Sequence, residues 1–179
     1  MKKTNFSLKP FQQEEISHDF RITGSISRDL GRLKLVYELN GPLNNLAIPA
    51  VSNEPKRMDR LWEETCFEFF LNVKGTTIYW EFNLSPSENW NIYRFNAYRE
   101  GMQEEDAFID LPFMVQTGPE ILRLVFELNG EKIIPPNRAI HVAASAVLKS
   151  ISGKIMYWAL AHHSAKPDFH RKDGFLIEL

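Results

Sequence analysis

The sequence has 179 residues, the size of a single domain, and 44% of them are hydrophobic, which is enough for one sizeable core. Charged residues make up 25% and the net charge is −2, so the basic excess that neutralises phosphates is missing and we expect no nucleic-acid partner. The sequence starts with Lys2 and Lys3, but no apolar segment follows them, and no apolar run approaches the roughly 20 residues that span a bilayer. Cys66 is the only cysteine, so we expect a cytoplasmic protein. We also expect one domain over residues 1–179 and no membrane association.

Hydrophobic residues alternate with a period of two along most of the chain, which is typical of β-strands. The segments RLKLVYEL, TCFEFFL, IYWEFNL and ILRLVFEL alternate, whereas IHVAASAVL and KIMYWALAH are more continuously apolar, as in strands buried on both sides. Glycine- and proline-containing turns separate them, and residues 57–64 favour at most one or two helical turns. The sequence therefore predicts an all-β fold, an antiparallel, jelly-roll-like β-sandwich of about ten strands with at most short helical turns.

The segments TCFEFFL and IYWEFNL predict a hairpin with its turn at Lys74 and Gly75, which places Glu68 opposite Glu81. One face of this hairpin is uniformly apolar and predicts the core face. The other face mixes acids with aromatic residues and indicates the floor of a groove or a covered surface; it carries Cys66, Glu68, Phe70, Tyr79, Glu81 and Asn83.

Two carboxylates directly across a sheet repel each other, so the pair needs a neutralising group. If the next strand, NIYRFNAYR, turns back on the hairpin, Arg94 falls near Glu81 and can bridge both acids, with Asn83 beside them. This polar row has three interpretations: a structural ion-pair network, a set of ligands for sugar hydroxyls or a cation, or a catalytic carboxyl pair. The last requires a cleft and a separation of roughly 5–9.5 Å.

The four tryptophans divide into two pairs. Trp80 and Trp158 lie in apolar strand patterns and predict core packing. Trp62 and Trp90 lie at strand ends beside polar residues, where an indole either stacks on a sugar ring or covers the end of the sandwich.

The segment AHHSAKPDFHRKDG gathers three histidines and Asp168 without matching a standard zinc spacing. It is either a weak cation site, a polar loop, or one wall of a mouth shared with NAYREGM, in which Arg99 and His170 are donors to a ligand. No nucleophile elbow or phosphate-binding loop is present, and Cys66 lies inside a strand, so we assign no catalytic residue and no metal ligand.

Three segments, RLWEETCFEFFL, YWEFNLSPSENWNIYRFNAYREGM and YWALAHHSAKPDFH, resemble the DOMON-like, type 9 carbohydrate-binding-module-like bacterial proteins. The resemblance implies a β-sandwich that binds a ligand and does not catalyse, and the known ligands of such proteins are sugars or haem. The methionine and histidine that bind haem iron in some of them match no position of this sequence by motif.

We therefore predict a non-enzymatic ligand-binding module without a cofactor, with carbohydrate as the leading ligand. The alternatives are a protein-interaction or structural domain and, with less support, a haem binder or a carboxylate-dependent hydrolase. The expected ligand-binding residues are Trp62, Glu68, Glu81, Asn83, Trp90, Arg94, Arg99 and His170.

Overall fold

The computed structural model describes residues 2–12 and 15–179, which form two antiparallel β-sheets packed as a sandwich. The strands are, in chain order, β1 (Lys2–Ser7), β2 (Lys9–Pro10), β3 (Arg21–Asp29), β4 (Arg32–Asn40), β5 (Cys66–Val73), β6 (Tyr79–Leu84), β7 (Trp90–Phe95), β8 (Gln103–Glu104), β9 (Phe113–Thr117), β10 (Ile121–Asn129), β11 (Ile140–Lys149), β12 (Ile155–Ala159) and β13 (Ile177–Glu178). Strands β2, β8 and β13 have two residues each, too few to produce a periodic pattern, so the prediction of about ten strands is confirmed.

The smaller sheet has five strands in the order β1-β3-β4-β10-β9. The larger sheet has the order β2-β12-β11-β5-β6-β7-β8, and β13 pairs with the free end of β11. Helical structure in the described residues is limited to α1 (Glu15–His18) and to 3-10 turns at Leu43–Asn45, Leu61–Glu63, Gly130–Lys132 and Lys172–Gly174, as expected. None of the helices in this part of the chain is long and apolar enough to cross a membrane.

The core lies between the inner faces of the two sheets, where the alternating residues of each strand meet. Phe69 of β5 stacks on Phe82 of β6 with ring centroids 4.2 Å apart, and Phe126 of β10 packs against both rings from the opposite sheet. The hydroxyl of Tyr37 in β4 also crosses the core and donates a hydrogen bond of 2.6 Å to the carbonyl of Glu68. The predicted core face of the hairpin is therefore confirmed.

The hairpin register differs from the prediction by two residues. Phe70 pairs with Glu81, and Glu68 pairs with Asn83, so the two glutamates lie diagonally across the ladder and the directly opposed arrangement is wrong. The reason is a longer connection over residues 74–78, in which the Asn72 amide donates hydrogen bonds to the carbonyls of Thr76 and Ile78. A shift of two residues preserves both faces of a strand, which is why the face assignment is still correct.

The outer face of the larger sheet carries a second apolar cluster, separate from the core, which consists of Phe70, Tyr79, Tyr93, Phe95, Ala143 and Phe175. Trp62, from the turn Leu61–Glu63, and Phe169, from the segment after β12, pack against this cluster. All eight residues of β5 are consequently buried. The groove floor predicted from the mixture of acids and aromatic residues is thus a largely covered surface.

Candidate functional site

A cleft of about 350 Å³ opens on the outer face of the larger sheet, between the covering segments. The sheet forms the floor of the cleft. Its walls come from the turns at residues 61–63 and 96–102 and from the segment at residues 167–170. The residues that line it are Trp62, Glu68, Glu81, Phe95, Arg99, Met102, Val147, Tyr157, Pro167, Phe169 and His170. Five of the eight predicted site residues therefore meet in this cleft.

Two glutamates form the acidic part of the floor. Glu68 on β5 is 3% exposed and Glu81 on the neighbouring β6 is 5% exposed. The Asn83 amide, two residues along β6, donates a hydrogen bond of 3.0 Å to Glu81 Oε1. Asn83 is fully buried and does not line the cleft, so its contact in the structure is with the Glu81 carboxyl.

The surroundings of the two carboxyls favour their protonated forms. Burial raises the pKa of Glu68 well above its usual value, the Glu81 charge raises it further, and the Ser145 hydroxyl lowers it in part. Burial also raises the pKa of Glu81, from an ordinary 4.5 to about 7. The hydrogen bond from the Asn83 amide and the Arg99 charge lower this pKa, but burial has the larger effect. Buried carboxyls keep their protons to higher pH when nearby cations and hydrogen-bond donors do not offset the effect of burial. Protonation therefore takes the neutralising role that the sequence assigned to Arg94.

Arg94 does not neutralise Glu81, and this prediction is wrong. In the pairing of β6 with β7, Arg94 lies opposite Trp80, and Tyr93 lies opposite Glu81. Since neighbouring residues of a strand point to opposite faces, the Arg94 side chain lies on the face opposite the cleft.

Trp90 also differs from its prediction as an exposed platform for a sugar. It is the first residue of β7, is 3% exposed, and belongs to the core. The Arg57 guanidinium lies 4.4 Å from the centroid of its ring. Trp90 is thus a packing residue, like Trp80 and Trp158, whose predicted burial is confirmed.

Trp62 forms one wall of the cleft and is half-buried. Its ring meets Tyr93 edge to face at 5.6 Å, and the 3-10 turn Leu61–Glu63 carries it over the sheet. The Tyr93 hydroxyl in turn donates a hydrogen bond of 2.6 Å to Asp59, just before this turn. The predicted short helical segment therefore includes Trp62 and holds it at the cleft.

His170 closes the cleft from the segment after β12. Its Nδ1 lies 2.9 Å from the Tyr79 hydroxyl, and its Nε2 lies 3.8 Å from Glu81 Oε2. The ring packs edge to face against Phe70 and Phe95. Burial, together with the Arg99 charge and against the Asp168 charge, lowers the pKa of His170 to about 4, so the imidazole is neutral at physiological pH.

Arg99 lies at the rim of the cleft and is held there by Asp168. Its Nη2 donates to Asp168 Oδ1 at 2.9 Å, and the Tyr98 hydroxyl donates to the other carboxylate oxygen. Burial acts to raise the pKa of Asp168, but the hydrogen bonds from Tyr98 and Arg99 hold it below its usual value. The structure therefore brings together the two segments, NAYREGM and AHHSAKPDFH, that the sequence placed at one mouth.

Several lining residues were not identified from the sequence, namely Phe95, Met102, Val147, Tyr157, Pro167 and Phe169. Val147 and Tyr157 share a register pair of β11 and β12, and their side chains reach the cleft because these strands lie beside β5. No local pattern reveals that neighbourhood, since β11 and β5 are more than sixty residues apart in the chain.

A neighbouring cavity of about 630 Å³ lies on the other side of His170. Its aromatic lining consists of Tyr79, Tyr98 and Phe175. Arg171 also lines it and is paired with Asp173 at 2.6 Å. It contains neither of the buried glutamates, so the smaller cleft is the better candidate site.

Metal ions and haem were the two cofactor types considered from the sequence. In the described residues, no group of three or more histidine, cysteine or acidic side chains is arranged to hold a metal ion. His170 and Met102 both line the cleft, but one ring nitrogen of His170 contacts Tyr79 and the other faces Glu81.

Comparison with known proteins identifies the fold. No family model matches the sequence, and no curated protein is similar to it. Among solved structures, a protein of Bacteroides uniformis described as a candidate carbohydrate-binding protein has a TM-score of 0.66 at 14% identity, over 95% of this chain and 84% of that one. A family 9 carbohydrate-binding module of Caldicellulosiruptor kristjanssonii, solved with cellotriose, has a TM-score of 0.55 at 10% identity, over 90% and 74% of the two chains. The chain therefore has the fold of the family 9 carbohydrate-binding modules, whereas its resemblance to DOMON domains stays a prediction.

Proposed function

We propose that the cleft binds a carbohydrate and that the protein acts as a non-enzymatic binding module. The observation that carries this proposal is the meeting of the half-buried Trp62 ring with the Glu68 and Glu81 carboxyls in one cleft of about 350 Å³. Sites for small ligands combine apolar and aromatic walls with a few polar groups, and their volumes start at about 300 Å³.

The polar groups of the cleft suit sugar hydroxyls, which both donate and accept hydrogen bonds. A protonated carboxyl offers a donor and an acceptor, the Arg99 guanidinium offers donors at the rim, and the aromatic rings offer faces for the C–H groups of a sugar ring. The shared fold with a module solved in complex with cellotriose supports the same ligand class.

The experiment is a binding screen with neutral monosaccharides and short glucans at millimolar concentration, followed by tryptophan fluorescence and thermal shift. A bound sugar raises the melting temperature by mass action and changes the fluorescence of Trp62. The Trp62→Ala variant should weaken binding about tenfold or more, because it removes the stacking wall. Met114→Ala is the matched control, since Met114 is exposed on β9 of the other sheet. The absence of any sugar response in the wild-type protein would contradict the proposal.

Hydrolysis by the glutamate pair has less support. Glycosidase pairs need one carboxyl protonated and the other ionised, so their surroundings shift the two pKa values in different directions. Here both pKa values are shifted upward, and within the described residues neither carboxyl has an arginine or lysine as an ion-pair partner. A protein-interaction role and the cytoplasmic location are predictions that the fold neither favours nor opposes.

A further inference from the structure

The two carboxyls of the cleft have no arginine or lysine partner of their own among the described lining residues. Its floor holds two carboxyls, and the only lysine or arginine among the described lining residues is Arg99. Arg99 is paired with Asp168 at 2.9 Å on the rim, and the His170 imidazole, enclosed by aromatic rings, is neutral at physiological pH. The deep part of the cleft therefore holds two acidic groups, and the cation that acts on Glu81, Arg99, is already paired with Asp168.

We propose that the cleft selects a sugar bearing a protonated amine, with the ammonium group placed between Glu68 and Glu81. This inference rests on the proposed carbohydrate function and names the ligand class within it. An ammonium has three N–H donors and no acceptor, and it can donate to both carboxylates at once. Both glutamates are more than nine-tenths buried and line the cleft, so the interaction would take place away from water.

The walls of the cleft suit the same group. Four aromatic rings line it, from Trp62, Phe95, Tyr157 and Phe169. The negative face of an aromatic ring attracts a cation, most strongly for tryptophan, and the same face stacks on the C–H groups of a sugar. An anionic sugar would bring a third acidic group to the two carboxyls and, among the described lining residues, would find no arginine or lysine that is not already paired.

Binding of an ammonium would change the protonation of the pair. Without a ligand, burial and mutual repulsion keep protons on the carboxyls. A cation between them favours both ionised forms, so the protons held by the two carboxyls are released to the buffer on binding. Among the described residues, the other titratable or charged groups that interact with the pair or face it are Tyr37, Cys66, Tyr79, Tyr93, Arg99, Tyr157 and His170.

The experiment is isothermal titration calorimetry of the full chain with glucosamine, glucose, N-acetylglucosamine, glucuronate and ethanolamine, at about pH 6.5, below the pKa of an ordinary amine. We expect glucosamine to bind about tenfold or more tightly than glucose or N-acetylglucosamine, because acetylation removes the charge, and glucuronate to bind weakest. Buffers of different ionisation enthalpy should report proton release with glucosamine and none with glucose.

The variants Glu68→Gln and Glu81→Gln should each reduce the preference for glucosamine over glucose about tenfold, and Glu127→Gln, an exposed glutamate of the other sheet, should keep it. Far-ultraviolet circular dichroism checks that each variant is folded, and the wild-type ligand series decides the question even if a variant does not fold.

Equal affinity for glucosamine and glucose would overturn the ammonium inference and leave the carbohydrate proposal standing. Binding of ethanolamine as tight as that of glucosamine, with no binding of glucose, would support the ammonium site and refute the carbohydrate function. Binding of none of the five compounds would overturn both.

Discussion

Replacement of Glu81 by glutamine tests the electrostatics of the cleft through protein stability. Burial raises the pKa of Glu81 to about 7 from an ordinary value of 4.5. Each pKa unit corresponds to about 1.36 kcal/mol, so ionising this carboxyl in the folded protein costs about 3 kcal/mol of stability above neutral pH. A glutamine in its place keeps a carbonyl that accepts from Asn83 and never acquires a charge.

The direction of the effect follows from proton uptake. Between pH 4.5 and about 7 the folded protein binds more protons at Glu81 than the unfolded chain does, so the free energy of unfolding falls as the pH rises through this window. Below the window both states are protonated and the penalty is absent. The glutamine variant should therefore gain stability relative to the wild-type protein as the pH rises, by up to about 3 kcal/mol.

His170 has an opposite effect that must be separated from that of Glu81. Burial lowers the pKa of His170 from 6.5 to about 4, so its contribution to stability is lost as the pH falls through this range. The effects of Glu81 and His170 oppose each other in the wild-type curve, and Glu68, whose pKa is also raised, adds a further loss of stability as the pH rises. The informative quantity is accordingly the difference between the variant and wild-type free energies of unfolding, measured by urea denaturation at about pH 4.5, 6 and 8.

Glu127→Gln is the control for this measurement, because Glu127 is exposed and paired with Lys34 on the outer face of the other sheet. Its effect should stay within about 0.5 kcal/mol at every pH. If the Glu81→Gln and wild-type stabilities differ by a constant amount across the range, Glu81 has no raised pKa and the reasoning is refuted.

Three further predictions concern the sandwich that supports the cleft. Phe82→Ala should cost about 3–5 kcal/mol in urea unfolding, because Phe82 is fully buried and stacks on Phe69; a loss below about 1 kcal/mol would contradict this packing. Asn72→Ala should cost about 1–3 kcal/mol, because its amide donates two hydrogen bonds to loop carbonyls, and an unchanged urea midpoint would show that these bonds do not hold the loop. The Cys66 thiol is fully buried and burial raises its pKa, so it should react with a thiol reagent only in urea; rapid reaction of the native protein would refute this assignment.

The sequence by itself determined the class of fold and the two faces of the central hairpin. Strand residues point alternately to opposite faces, so the spacing of Phe67, Phe69, Trp80 and Phe82 was sufficient to place the core side. The same alternation placed Glu68 and Glu81 together on the other side, and the structure confirms that they line one cleft. These conclusions depend only on a period of two and do not require the exact pairing of the strands.

The tertiary structure decided the register and the exposure of each residue. The hairpin loop, in which Asn72 donates two hydrogen bonds, is longer than a turn at Lys74 and Gly75 implies, and the pairing is shifted by two residues. Arg94 and Trp90 face the core side because Arg94 pairs with Trp80, and Trp90 with Leu84.

The cleft itself depends on contacts between distant parts of the chain. The turn that carries Arg99 and the segment that carries His170 are joined by the hydrogen bond from Arg99 to Asp168. Their approach follows from the order of the strands in the larger sheet, which places β12, β11, β5, β6 and β7 side by side. Local patterns identify the residues that can bind a ligand, but burial by distant segments determines which of them face the cleft and which carboxyls keep their protons.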